Sequence, residues 1–422
     1  MKTIVIGLFA LTYIVMLSFP KYRHFMAASV AVLMVVIGAV APVEAINAID
    51  WNVIMMLGGT MGTVYLCIES KMPARVADML VNKLKDVKLI FVALALFSGL
   101  VSAFIDNVAT VLMVAPIALE IAKRFNVSPI STVLTVAVSS NLQGAATLVG
   151  DTTSILLAGY AGMDFMDFFV MDGKIGMFFI VQVGMLATVP ILFYIFRKEK
   201  GRIESVPVTK VKDWMPTIAL LCTVLSLIIA SFFENKPAVT NGVICISFFI
   251  AILLYEMTRE EKVARFNDIL LNIDFETLLL LSGLFIIIRA VINVGLIDDI
   301  SNLFVTISGD NLFVVYTILV WFSVLVSAFI DNIPYVATML PVVSGISASL
   351  GVNPLPLYFG LLVGATLGGN ITPVGASANI AAAGILKREG YTVSAPEFMK
   401  IGVPFTLCAV ITGYALVWLI YV

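Results

Sequence analysis

The chain has 422 residues, 61% hydrophobic and only 12% charged, with a net charge of −2. A soluble domain carries roughly 25% charged residues, so this composition describes a polytopic membrane protein. It excludes a nucleic-acid binder, having no basic patch with interleaved aromatics, and its single histidine, His24, excludes a site built from several His ligands.

Taken from the N-terminus, residues 3–19 are apolar, and no small-residue cleavage site follows before Pro20-Lys-Tyr-Arg23. They read as a first transmembrane helix rather than a signal peptide. A helix needs about 20 apolar residues to span the hydrocarbon. Further spans are expected near 25–45, 51–69, 173–196, 214–233, 238–256, 275–295 and 402–421. The four cysteines (Cys67, Cys222, Cys245, Cys408) stand singly in apolar segments and form no disulfide framework.

Four apolar stretches do not fit as simple helices. The run 89–122 contains Leu100-Val-Ser-Ala-Phe-Ile-Asp-Asn107, and the same eight residues recur 225 positions later as Leu325–Asn332, inside the run 312–350. Each run has two arms joined at Asp-Asn without a hydrophilic loop, which predicts a re-entrant hairpin with its tip at membrane depth. Two full spans with a tight surface turn are the competing reading. The stretches 131–160 and 355–386 are interrupted by Gly144-Ala-Ala-Thr-Leu-Val-Gly-Asp-Thr-Thr-Ser154 and Gly369-Asn-Ile-Thr-Pro-Val-Gly-Ala-Ser-Ala-Asn379. At the same offset Gly144 pairs with Gly369, Thr147 with Thr372, Gly150 with Gly375, and Ser154 with Asn379. Glycine and proline unwind a helix and free backbone groups, which a bound ion or substrate can satisfy.

Ile49-Asp-Trp51 and Gly59 also match Ile273-Asp-Phe275 and Gly283. The expected fold is therefore an all-α polytopic protein of two repeats, 1–196 and 214–422, joined by a polar linker, 197–213. Each repeat would have five crossings, one re-entrant hairpin and one helix unwound at the midplane. Five is odd, so the second repeat should be inverted. On that topology all but Lys2, Lys174, Lys236 and the in-span Arg289 of the 25 Lys and Arg residues fall on one side. The positive-inside bias makes that side cytoplasmic, in the cell inner membrane, with both termini outside.

Carboxylates at membrane depth are functional candidates by default. Asp106, Asn107, Asp331 and Asn332 are the expected centre, where Na+ could bind. Ser102 and Ser327 precede them, and Gly144, Thr147, Gly150, Asp151, Thr152, Ser154, Gly369, Asn370, Thr372, Gly375, Ser377 and Asn379 come from the two breaks. Hard oxygen ligands suit Na+ or H+ better than soft metals. The Asp side chains should also cap the second hairpin arms. Asp151, opposite Ala376 in the other copy, either holds a coupling ion or caps the following half-helix. Arg289 either snorkels to the interface or meets an anionic substrate. Pro116 and Pro341 should bend the second arms.

Ser102-Ala-Phe-Ile-Asp-Asn107 with Thr110 and Pro116, and the motifs Gly144–Asp151 and Gly368–Ser377, resemble the signatures of the ion transporter superfamily. The closest branch groups arsenite permeases, NhaD-type Na+/H+ antiporters and P proteins. The resemblance implies an inverted-repeat, often dimeric, carrier with a mobile domain of hairpins and broken helices that works by elevator-like alternating access. It implies no cofactor other than Na+ or H+ as coupling ion. Dicarboxylate members carry Ser-Asn-Thr at the hairpin tips, which the Asp-Asn tips here replace.

These observations point to a secondary transporter of a small inorganic ion, coupled to Na+ or H+. An organic-anion symporter of the same superfamily is the alternative. The chain has no Gly-x-x-x-x-Gly-Lys-Ser/Thr motif, so an arsenite pump would need a partner ATPase. A channel and an intramembrane aspartyl protease are the readings from other classes; the protease motifs Tyr-Asp and Gly-x-Gly-Asp do not surround Asp106 or Asp331.

Overall fold

The computed structural model describes residues 1–202, 206–258, 262–309 and 311–422, with the backbone alone for 262–265. Arg259, linker residues 203–205 and the side chains of Lys262 and Arg265 lie outside the described part. The first half contains α1 (Lys2–Ser18), α2 (Arg23–Val36), α3 (Pro42–Ala48), α4 (Trp51–Glu69), α5 (Met72–Leu84), α6 (Val87–Ser102), α7 (Asn107–Arg124), α8 (Pro129–Gln143), α9 (Thr152–Ala161) and α10 (Met177–Ile195). The second contains α11 (Met215–Ala230), α12 (Thr240–Met257), α13 (Lys262–Leu271), α14 (Phe275–Asn293), α15 (Leu296–Ser308), α16 (Leu312–Ser327), α17 (Asn332–Leu350), α18 (Leu355–Leu362), α19 (Ser377–Arg388) and α20 (Ala395–Tyr421). Among the described residues, α4, α10, α12, α14, α17 and α20 are long and apolar enough to cross a membrane.

Several expected boundaries move for local reasons. The stretch 25–45 is not one helix: α2 ends at Val36, Gly38 takes a φ of 75°, and Pro42 opens α3. A positive-φ glycine stops a helix and a first-turn proline starts one. The stretch 173–196 begins as a helix only at Met177, because Val170–Met171 pairs with Lys174–Ile175 in a short antiparallel ribbon. Among the described residues the regular structure is otherwise helical, apart from one isolated bridge between Asp86 and Arg202. The last helix starts early, at Ala395, where Ser394 accepts the amide of Glu397. Three helices, α5, α13 and α15, were not foreseen. α5 and α15 are amphipathic, and each precedes a hairpin arm.

The linker lies along α5: Asn82 donates to the Val206 carbonyl at 2.9 Å, and the Thr209 amide donates to Asp78 at 2.8 Å. The amide of Lys212 donates to the Ser70 carbonyl at 2.9 Å. The basic linker and the α4–α5 turn therefore share one face of the molecule.

The central packing crosses between the halves, with α4 against α12 and α2 against α14. Small residues let helix backbones approach closely in a bilayer. A Cβ at Gly59 would lie 2.4 Å from the carbonyl carbon of Cys245, and one at Gly283 would lie 2.7 Å from that of Ala27. The obstacle is backbone in both cases, so the helices would have to part. Gly59→Val and Gly283→Val are expected to cost at least about 1–3 kcal/mol of stability, read as a lower thermal midpoint in detergent. Unchanged midpoints would mean that these crossings are loose.

Candidate ion-binding site

The hairpin arms α6 and α7 meet at Asp106, and α16 and α17 meet at Asp331. Both aspartates are N-caps: Asp106 accepts the Ala109 amide at 3.0 Å, and Asp331 accepts the Ile333 amide at 3.2 Å. The capping expectation holds in both copies.

The breaks fold back under their own hairpin tips. The Thr147 hydroxyl donates to the Ala103 carbonyl, and Thr372 donates to that of Ala328. Ser154 donates to the Gly144 carbonyl at 2.8 Å; at the matching position Asn379 donates to the Gly369 carbonyl at 3.0 Å. The four residue pairs singled out at the shared offset thus occupy equivalent places. A hydroxyl removed from such a buried carbonyl leaves it unsatisfied, at about 1–3 kcal/mol. Thr147→Val and Thr372→Val should each lower the thermal midpoint in detergent; no change in either would remove the latch from this description.

The halves are stitched together by polar contacts between α8 and the second break. Asn141 donates to the Thr366 carbonyl at 2.8 Å, and Asn370 donates to the Val138 carbonyl at 2.9 Å. Asn107 reaches this seam by donating to Asn141 at 2.9 Å. Asp151 does two things. It caps α9, accepting the Thr152 amide at 2.8 Å, and its other oxygen accepts from Thr153 at 3.1 Å and from Asn332 at 3.2 Å. So Asn332, from the second hairpin, closes onto the carboxylate of the first break. Ser327 is bonded to the Ala365 carbonyl, whereas its counterpart Ser102 is buried without a partner.

A cavity of about 360 Å³ opens beside these groups. Asp106, Asn107, Asp151, Thr152, Asn332 and Ser377 line it, together with Tyr65, Ile68, Asn272 and Asp274. Among the described residues it holds three carboxylates and no basic side chain. Asp274 caps α14 and was marked in the sequence only as the repeat partner of Asp50. A second cavity, about 400 Å³, uses equivalent positions of the other half: Phe285, Ile288, Arg289 and Ile292 for Met61, Val64, Tyr65 and Ile68, and Asp50 for Asp274. No tip residue lines it.

Arg23, Arg289 and Asp331 each have a partner or a place that the sequence does not show. Arg23 is not a loop cation at the surface: its guanidinium pairs with Asp331 at the second tip. Arg289 donates to Glu44 of α3 at 2.6 Å and lines the second cavity. Asp331 itself stands outside the first cavity, while Asn332 faces it.

Long apolar helices, doubled hairpins and a carboxylate-bearing cavity beside their tips define a multi-pass membrane protein, and the relatives make it a secondary transporter rather than an enzyme. The sequence profile of the CitMHS citrate transporter family matches residues 13–364, and the chain belongs to that family, within the ion transporter superfamily. An uncharacterized transporter of Mycobacterium tuberculosis is 30% identical over 433 residues, covering 100% of this chain and 99% of its own. The 46 kDa membrane protein of Mycobacterium leprae is 31% identical over 431 residues, with the same coverage of 100% and 99%. The human P protein is 26% identical over 406 residues, 76% of this chain and 48% of its own length. Two solved transporters share the fold at 13% identity. They are Alcanivorax borkumensis YdaH, with a TM-score of 0.61 over 92% of this chain and 87% of its own, and Neisseria gonorrhoeae MtrF, with 0.58 over 93% and 85%.

Proposed function

We propose that this transporter moves a small inorganic ion coupled to Na+ or H+, through a cation site built from Asp106, Asn107, Asp151 and Asn332. The observation that carries the reading is the cavity lined by Asp106, Asp151 and Asp274 with, among the described residues, no basic side chain. Carboxylate, amide and hydroxyl oxygens are hard ligands that favour Na+ or H+. Unpaired carboxylates at membrane depth are costly, so a cation or proton bound there lowers the free energy of the loaded state.

The two halves are taken as inverted repeats, each crossing five times around a re-entrant hairpin. Ion pairs support the side assigned to each loop. Lys2 pairs with Asp299 at 2.5 Å and Lys236 with Asp164 at 2.6 Å, all four on the poorly basic side; Lys123 pairs with Glu389 on the other. Equivalent cavities, only one of which reaches the tips, fit a carrier open to the linker side and closed to the opposite side. The hairpins and breaks would move as one domain against α1–α4 and α11–α14, in an elevator-like cycle.

A second reading, an organic-anion symporter, is favoured by the citrate transporter family match. The acidic cavity speaks against a bare polycarboxylate, because like charges repel strongly at low dielectric. Expression in a sensitive host separates the two. Tolerance to arsenite, or to sodium at alkaline pH, is the expected outcome. Cation-driven citrate or succinate uptake, with no tolerance to either, would overturn the inorganic-ion reading.

A further inference from the structure

The two hairpin tips share a sequence but not an environment. Asp106 faces the cavity and, among the described residues, has no ion-pair partner. Asp331 is paired with Arg23, and both side chains are largely buried, at 16% and 23% exposure. Arg23 is the first residue of α2, four residues before Ala27, whose backbone meets Gly283 in the middle of α14. Four residues rise about 6 Å along a helix, so Arg23 lies within roughly one turn of that central crossing.

At the matching place the first hairpin has no such cation. Gly59 meets Cys245 as Gly283 meets Ala27, which sets Asn241 in the place of Arg23. Asn241 is neutral, and it donates to Asp164 at 3.2 Å rather than to Asp106. The second hairpin has a further hold from the same region: the Tyr13 hydroxyl on α1 donates to the Pro334 carbonyl at 2.8 Å and meets Thr338.

We infer that, in this conformation of the cycle, Arg23 is the built-in counter-cation of Asp331, so that of the two tip carboxylates only Asp106 takes a mobile cation. A guanidinium does not deprotonate in a protein, so it neutralises Asp331 at any working pH. Being fixed to α2, it also competes with free cations as an intramolecular ligand. The duplicated site becomes functionally single: one tip carries exchangeable charge and the other carries a built-in one. This rests on the cation-site reading above and specifies which copy of the motif does the coupling.

The test is a count of cations bound by the purified full-length transporter, using radioactive sodium at equilibrium, with proton release on cation addition measured in parallel. Wild type should bind one exchangeable cation per chain, lost in Asp106→Asn. Asp331→Asn should leave the count unchanged, and Arg23→Gln should raise it by one, a gain that Arg23→Gln with Asp331→Asn removes. Thermal midpoints check that each variant is folded. If Arg23→Gln does not fold, Asp331→Asn decides alone, since loss of a bound cation there would mean that Asp331 is itself a mobile-cation ligand. A count unchanged in folded Arg23→Gln overturns the inference while leaving the Asp106 site intact. A wild type that binds no cation and releases no proton overturns both.

Discussion

Asp106→Asn is expected to abolish cation-coupled transport while the protein stays folded. Asn serves as an N-cap as well as Asp does, so the bond from the Ala109 amide persists and α7 keeps its start. What is lost is one of the negative charges that line the cavity. Hydrogen bonds and contacts to a charged group are worth about 1.5–3 kcal/mol, and every 1.4 kcal/mol is tenfold in affinity. Cation affinity should therefore fall about 100-fold, and gradient-driven flux in proteoliposomes should drop to the background of empty vesicles. Retention of affinity within about twofold, on the same scale, would remove Asp106 from the site.

A large loss of stability from a single added methyl is expected at Gly375. A Cβ there would lie 2.6 Å from the Gly369 carbonyl oxygen, 2.7 Å from that of Ser327 and 2.8 Å from that of Ala328. Backbone oxygens on three sides leave no side chain to move aside. Gly375→Ala must displace either the second break or the hairpin tip, at about 3 kcal/mol or more, near the upper end for overpacking. Gly150 holds the matching place in the first break, where the closest contacts of an added Cβ are looser, at 3.0 Å, 3.1 Å and 3.3 Å. Gly150→Ala should be the milder change. Thermal midpoints in detergent, with cation binding measured alongside, check the order. Equal midpoints would contradict the tighter closure of the second half.

Much of the site was legible because the chain states it twice. Gly144 with Gly369, Thr147 with Thr372, and Ser154 with Asn379 make matching bonds, and the repeat alone singled them out. The Asp-Asn tips announced themselves as charge inside apolar runs. The missing parts are long-range pairs with no local signature. Arg23 follows a Pro-Lys-Tyr turn and reads as a loop cation, and nothing near it in sequence marks Asp331, 308 residues away. Asn141 and Thr366 are themselves repeat partners, yet their bond to each other follows from how the halves meet, not from either segment. Asp274 reads as a helix cap, which it is, and its place on the cavity depends on α14 packing beside the first tip. The break after α2 was missed because Gly38 and Pro42 are separated by apolar residues that keep the hydropathy high.

The central claim is that oppositely oriented halves enclose one cation-binding cluster reached from a single side. Side-specific labelling tests it most directly, with single cysteines at Ser377 and Tyr160 in a background whose native cysteines are replaced. Membrane-impermeant maleimide is added to sealed vesicles of each orientation. Ser377→Cys, on the tip cavity, should react only from the face that carries the linker, and more slowly when Na+ or H+ is raised. Tyr160→Cys, on the equivalent cavity, should react only from the opposite face. Labelling of both from the same face, or a Ser377→Cys rate indifferent to both cations, would contradict the account.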